Sequence, residues 1–187
     1  HKIPLFSLET YTPLKEFDII GFSLQYELSY TNILNMIDLA EIPVMASERG
    51  ETEPLVIAGG PTAISPEPLA DFIDLFLIGD GEESLPHLVE LWKGMNQKKL
   101  SRKEKIVSLA QTLKNVYAPS LYEVIYHQDN TIQEIRPRIS GLPSPIRSAS
   151  VRDLNKTYFP TKPIVPYVKT IHDRITIEVM RGCTQGC

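Results

Sequence analysis

The sequence predicts an α/β fold built on a mostly parallel, doubly wound sheet, and three observations carry that expectation. Near-continuous apolar runs recur at residues 18–24, 55–58 and 74–78, the pattern of strands covered on both faces. Apolar residues at helical spacing occupy 30–40 and 84–94. Each run ends in turn-forming residues, giving the strand–helix alternation that a parallel sheet requires.

Taken in order, residues 3–8 read as a short strand and 12–17 as a turn with one helical turn. The run 18–24 is the first buried strand. Ile33, Leu34, Ile37, Leu39 and Ala40 then predict a helix over 30–40, with Ser29 or Thr31 as its cap. Residues 42–46 suggest a brief edge strand and 47–53 a charged loop. The strand 55–58 and the strand 74–78 follow, and then a helix over 84–94 carrying Leu85, Leu88, Val89 and Trp92 on one face. Lys98, Lys99, Arg102, Lys103 and Lys105 make 97–105 basic, but Glu104 interrupts the run and an amphipathic helix continues to 113. A solvated helix flank is favoured there over an RNA-binding patch. Residues 121–126 and 132–137 alternate apolar and polar side chains around Gln128, Asp129 and Asn130, which predicts a hairpin. In the Pro-rich run 143–166, Pro160, Pro163 and Pro166 favour extended chain with few helices; Tyr158, Phe159 and Tyr167 are then expected as packing residues, in preference to a ligand-stacking role.

Composition bounds the function. The 187 residues are 42% hydrophobic and 22% charged, with a net charge of −4. That is globular composition, and its mild acidity argues against this chain being a main nucleic-acid-binding surface. No apolar run reaches the roughly 18 residues of a membrane span, and no three-part signal peptide is visible. Two cysteines are too few for a disulfide framework, so a reducing cytoplasm is the expected setting.

Ligands of parallel sheets sit at the carboxyl ends of the strands. Three loops meet that description, at 23–27, 59–63 and 79–83. The candidate binding residues are Ser23, Gln25, Gly59, Gly60, Pro61, Thr62, Gly79, Asp80, Gly81 and Glu82. Glycines let a ligand approach the backbone, and the amides opening a following helix can hold an anion. The competing account is that these are turn glycines after buried strands, since neither a Walker loop nor a Gly-x-Gly-x-x-Gly fingerprint is present.

The last thirteen residues begin with Ile175, Ile177 and Val179 alternating with Thr176, Glu178 and Met180, a strand signature closed by Gly182. Cys183 and Cys187 follow, and the chain is expected to be a piece of a longer protein. For the cysteines, a disulfide, buried small hydrophobes and thiolate ligation of a metal or cluster all remain open on spacing alone.

A strand followed by Arg-Gly-Cys-x-x-Gly-Cys resembles the opening of the radical S-adenosylmethionine (radical SAM) superfamily, with its Cys-x3-Cys-x2-Cys motif after the first strand of a β/α barrel. The resemblance implies that Cys183 and Cys187 are two ligands of a four-iron, four-sulfur cluster, the third lying beyond the sequence. It also implies that S-adenosylmethionine chelates the fourth iron and is cleaved to a radical that abstracts hydrogen from carbon.

A strand ending in Gly-Gly-Pro and a later one ending in Gly-Asp-Gly-Glu resemble the Rossmann-like (flavodoxin-like) cobalamin-binding domain that precedes the barrel in one subgroup. With residues 21–32 and 163–187, they look most like a bacterial branch of it. That implies a cobalamin-type domain over 1–118, lacking its first strand and helix, a hairpin and Pro-rich bridge over 119–170, and the start of a truncated radical SAM barrel over 171–187. Cobalamin across the three loops would then serve methyl transfer to a carbon or phosphorus centre.

Two features depart from that pattern. No Asp-x-His-x-x-Gly motif occurs, and Thr62 stands where many relatives carry histidine; His1, His87, His127 and His172 supply no substitute. The fragment alone is expected to be inert. The alternative is a Rossmann-like scaffold that lost cobalamin and positions a substrate or partner such as RNA. A thiol-redox role is disfavoured because such motifs usually have two intervening residues.

Overall fold

The computed structural model describes residues 3–158, 169, 177–182 and 185. They fall in two compact units, residues 1–150 and 151–187.

The first unit is α/β. Its strands β1 (Ile19–Ser23), β2 (Leu55–Gly59), β3 (Leu75–Leu77) and β4 (Val116–Tyr117) form one sheet in the order β1-β2-β3-β4. β1 pairs with β2 and β2 with β3 in parallel, while β4 runs antiparallel to β3. The mostly parallel sheet agrees with the sequence reading. The two-residue strand β4 was missed, because so short a run carries no periodicity.

Three helices accompany the sheet: α1 (Tyr30–Leu39), α2 (Ser84–Gln97) and α3 (Arg102–Thr112). Helix α1 buries Ile33 and Ile37, which are one turn apart. Helix α2 buries Leu88 and Trp92 as expected, together with Ser84 and Met95, but Leu85 lies 42% exposed off that face. The core gathers Leu24, the side chains of β2 and β3, and Leu109, Ala110 and Val116. The hairpin appears as β5 (Tyr122–Tyr126) and β6 (Ile132–Pro137), antiparallel with a register shift at Ile125/Tyr126.

Several expectations are corrected. Residues 3–8 form no strand; a single bridge joins Phe6 to Pro13, and Ser7 N–H donates to the Thr12 carbonyl at 2.9 Å. Strand β1 is only partly covered, with Ser23 and Gly21 exposed, because it is the outermost described strand and has one neighbour. Ser29 precedes α1 but does not cap it, since its hydroxyl donates backwards to the Tyr26 carbonyl at 2.7 Å.

Residues 42–46 form no edge strand. The carbonyls of Pro43 and Val44 are taken by the Arg49 guanidinium at 2.9 and 2.8 Å, so they need no strand partner.

The basic run is not wholly a solvated flank. Arg102 and Lys105 are buried, and the Lys105 ammonium lies 4.6 Å from the centre of the Trp92 ring and 3.0 Å from the Asn96 side-chain oxygen. Lys98, Lys99 and Lys103 are exposed, as expected.

The described part of 143–158 contains no α-helix, in keeping with its prolines. Of the expected terminal strand, residues 177–181 are in neither helix nor strand, and residues 175 and 176 lie outside the described residues.

Candidate functional site

The register of the parallel strands brings the three predicted loops to one edge. Ser23 lies beside Gly59 across the β1–β2 ladder, and a Cβ built on Gly59 would lie 3.5 Å from the Leu77 carbonyl oxygen at the end of β3. Ser23 and Gln25 are exposed there, as is Pro61.

What occupies the glycines is the chain itself. Leu24, wholly buried, donates its N–H to the Gly59 carbonyl at 2.7 Å. Its own carbonyl accepts from the Thr62 N–H and the Thr62 hydroxyl, each at 3.2 Å. Gly60 has φ +102°, and a Cβ there would meet the Leu24 carbonyl oxygen at 2.9 Å. So glycine is required at position 60 by the close approach of the first loop to the second.

The third loop is occupied in the same way. Gly79 has φ +89° and forms a parallel bridge with Ala149. Asp80 N–H donates to the Ala149 carbonyl at 3.0 Å, and Ala149 N–H donates to the Ile78 carbonyl at 3.0 Å. The segment after the hairpin thus adds a stub of strand at this loop. Gly81 has open space where a Cβ would lie. Helix α2 opens with Glu83 at its N-cap, and Ser84 donates its hydroxyl back to the Asp80 carbonyl at 3.1 Å. With Glu82 beside Glu83, this helix start carries the wrong charge for anion binding. Among β1, β2, β3 and β4 the order never reverses, so these strands make no topological switch point.

At the opposite, amino-terminal side of β3 lies a charged cluster that sequence reasoning missed. Asp74 Oδ2 accepts from Arg49 at 3.1 Å, from Arg102 at 2.8 Å and from the Val56 N–H at 2.8 Å. Arg102 also donates to the Glu53 and Pro54 carbonyls at 2.8 and 2.9 Å, while both Glu51 carboxylate oxygens accept from its backbone N–H. Burial lowers the Arg49 pKa from its ordinary value and Asp74 opposes this; a guanidinium nonetheless keeps its proton. Two guanidiniums share the one Asp74 carboxylate, and backbone carbonyls of Pro43, Val44, Phe72, Glu53 and Pro54 accept from their other N–H groups, so the cluster is structural. Its only signal in the sequence was one arginine in a charged loop and one in a basic helix flank, neither on an apolar periodicity.

Cys183 and Cys187, expected from the sequence to be metal ligands, lie outside the described residues. Among the described residues, no group of three or more His, Cys, Asp or Glu could hold a metal ion. Two thiolates have the donor chemistry an iron–sulfur cluster uses, but they are one short of the three-cysteine set. No helix among the described residues is long and apolar enough to cross a membrane.

The family model for radical SAM proteins, N-terminal, matches residues 1–119. The chain therefore belongs to the radical SAM protein family, as an N-terminal part. It is 33% identical over 84 residues to an uncharacterized protein of Methanocaldococcus jannaschii, a match covering 44% of this chain and 17% of that relative's length. No solved structure matches.

Proposed function

We propose that this chain is the N-terminal scaffold of a radical SAM enzyme and that its α/β unit does not bind cobalamin. Family membership over residues 1–119 supports the enzyme class. The observation that carries the scaffold reading is the filling of Gly60 and Gly79 by the backbones of Leu24 and Ala149. A corrinoid tail entering between the loops would meet protein backbone at both glycines, and no histidine stands at position 62 to meet a cobalt ion. The residues present do not fit that cofactor.

Cys183 and Cys187 are the residues we assign to the iron–sulfur site, with a third cysteine from outside this sequence. A cluster so held would, once reduced, supply the electron for cleavage of S-adenosylmethionine. The role of this chain is to present the two thiolates and to position a substrate, RNA among the candidates, or a partner beside the catalytic part. The cytoplasm is the compartment this chemistry suits.

Two measurements test the reading. Titrating the chain with hydroxocobalamin, followed by gel filtration, is expected to leave the corrinoid in the small-molecule fractions; co-elution overturns the scaffold assignment. Anaerobic reconstitution of the parent protein with iron and sulfide is expected to give a cluster spectrum that is lost in both Cys183→Ala and Cys187→Ala. Retention of the spectrum in either variant removes that residue from the site.

A further inference from the structure

Between the end of β3, the turn after β2 and the hairpin lies a hollow of about 320 Å³. Its walls are apolar, formed by Ile64, Pro66, Ile78, Ile135, Pro145 and Ile146. Among the described residues one charged side chain lines it, the Glu67 carboxylate, and no lysine or arginine does. A neighbouring cleft of about 810 Å³ shares Glu67 but is lined by Arg49, Arg102, Lys103 and Arg138 against Glu51, Glu67, Asp71 and Asp74, a balanced set with no preference of sign.

Glu67 is held in place by its partner. The hydroxyl of buried Tyr117 donates to Glu67 Oε1 at 2.6 Å. Tyr117 is itself braced between Phe76 and Tyr122, at ring-centre distances of 6.2 and 5.0 Å. The Tyr122 hydroxyl is committed to the Pro143 carbonyl at 2.8 Å. Both hydroxyl protons are therefore used, and the Glu67 Oε2 atom takes no hydrogen bond among the described residues. A carboxylate fixed by a buried tyrosine at the rim of an apolar hollow is an oriented acceptor beside a surface that gains from being covered.

We propose that this hollow binds a small molecule with an apolar body and a cationic amine, the amine donating to Glu67. The size suits a single aromatic or branched aliphatic group, and the lone negative charge excludes carboxylates and phosphates of the same shape. The site does not depend on the radical chemistry of the parent, because all of its residues lie in the first unit.

The test uses the 187-residue chain labelled at isoleucine δ1 methyl groups and three probes of one shape: 4-ethylbenzylamine, 4-ethylbenzyl alcohol and 4-ethylbenzoate. The amine is expected to shift the Ile64, Ile78, Ile135 and Ile146 methyl signals saturably, with the alcohol weaker and the benzoate without effect. Glu67→Gln keeps an acceptor for the Tyr117 hydroxyl and is expected to weaken the amine by about tenfold, the scale of one charge-assisted hydrogen bond. Should that variant fold poorly, Ile64→Lys places a like charge at the rim on a side chain already 74% exposed, and the same loss is expected. The proposal is overturned if the methyl signals do not move, if the amine and alcohol bind alike, or if neither variant in folded form weakens the amine.

Discussion

A Cβ placed on Gly79 would lie 2.2 Å from the carbonyl oxygen of Ala149 and 2.6 Å from its nitrogen. Contacts this short with backbone cannot be relieved by a rotamer change, so residue 79 must remain glycine for the stretch around Ala149 to dock. Gly79→Ala adds a left-handed backbone cost of about 1–2 kcal/mol to an overpacking cost of about 1–3 kcal/mol. Chemical denaturation should therefore show a loss of about 2–5 kcal/mol. Gly81→Ala, with nothing within 4 Å of the new atom, should stay within about 0.5 kcal/mol of wild type. Equal effects at the two positions would contradict the docking account.

Asp74 is the counter-charge for two buried guanidiniums, with side-chain exposures of 0% for Arg49 and 8% for Arg102 against 2% for Asp74. Removing it leaves both cations without that acceptor and frees the Val56 N–H at the start of the β2–β3 pairing. Asp74→Ala should cost about 3–5 kcal/mol, the usual penalty for breaking a buried pair from one side. The double replacement of Asp74 and Arg102 by apolar residues should lose less than the sum of the two single changes, because each single change strands a partner. An additive result in a denaturation cycle would show that the two act independently.

The sheet was legible because β2 and β3 are continuous apolar runs, and burial on both faces leaves that mark in composition. Helices α1 and α2 were legible through Ile33/Ile37 and Leu88/Trp92, which repeat at the helical period. The residues that pin these elements together were not. Arg49 and Arg102 sit in runs that read as solvated, and what buries them is a carboxylate that each reaches from far along the chain. The glycine loops could be found from sequence, but their contents could not. Leu24 and Ala149 fill them through backbone atoms, and backbone atoms carry no sequence signature.

Helix α3 begins with a reciprocal capping box. Ser101 Oγ accepts from the Glu104 N–H, and the Glu104 carboxylate accepts from the Ser101 N–H at 2.8 Å. The hydrogen bonds from Ser101 hold the Glu104 pKa below its ordinary 4.5. A carboxylate with a depressed folded-state pKa contributes stability above the unfolded value and loses it as pH falls through the folded one. Ser101→Ala should therefore be less stable than wild type at neutral pH. The difference between the two should shrink as pH is lowered below 4.5. A gap that stays constant into acid would mean the box contributes through geometry rather than through the charge on Glu104.

Tyr117 gives the opposite sign at the other end of the pH scale. Its hydroxyl is buried and donates to the Glu67 carboxylate, so desolvation first and that hydrogen bond second push its pKa far above the ordinary 10.0. In the unfolded chain the phenol ionises near 10, whereas in the folded protein it keeps its proton. Above that pH the folded state binds one proton more than the unfolded state at this residue, so this contribution to stability declines as pH rises. Tyr117→Phe lacks the proton altogether. At neutral pH it should be less stable by about 1–3 kcal/mol for the lost hydrogen bond to a charged group. Above pH 10 the wild-type advantage should fall by about 1.4 kcal/mol per pH unit, while contributions from the other tyrosines cancel in the comparison. Urea denaturation of the two proteins at a series of alkaline pH values measures this directly. A difference that is flat through pH 10 would show that Tyr117 ionises normally, and that the bond holding Glu67 at the rim of its hollow is absent in solution.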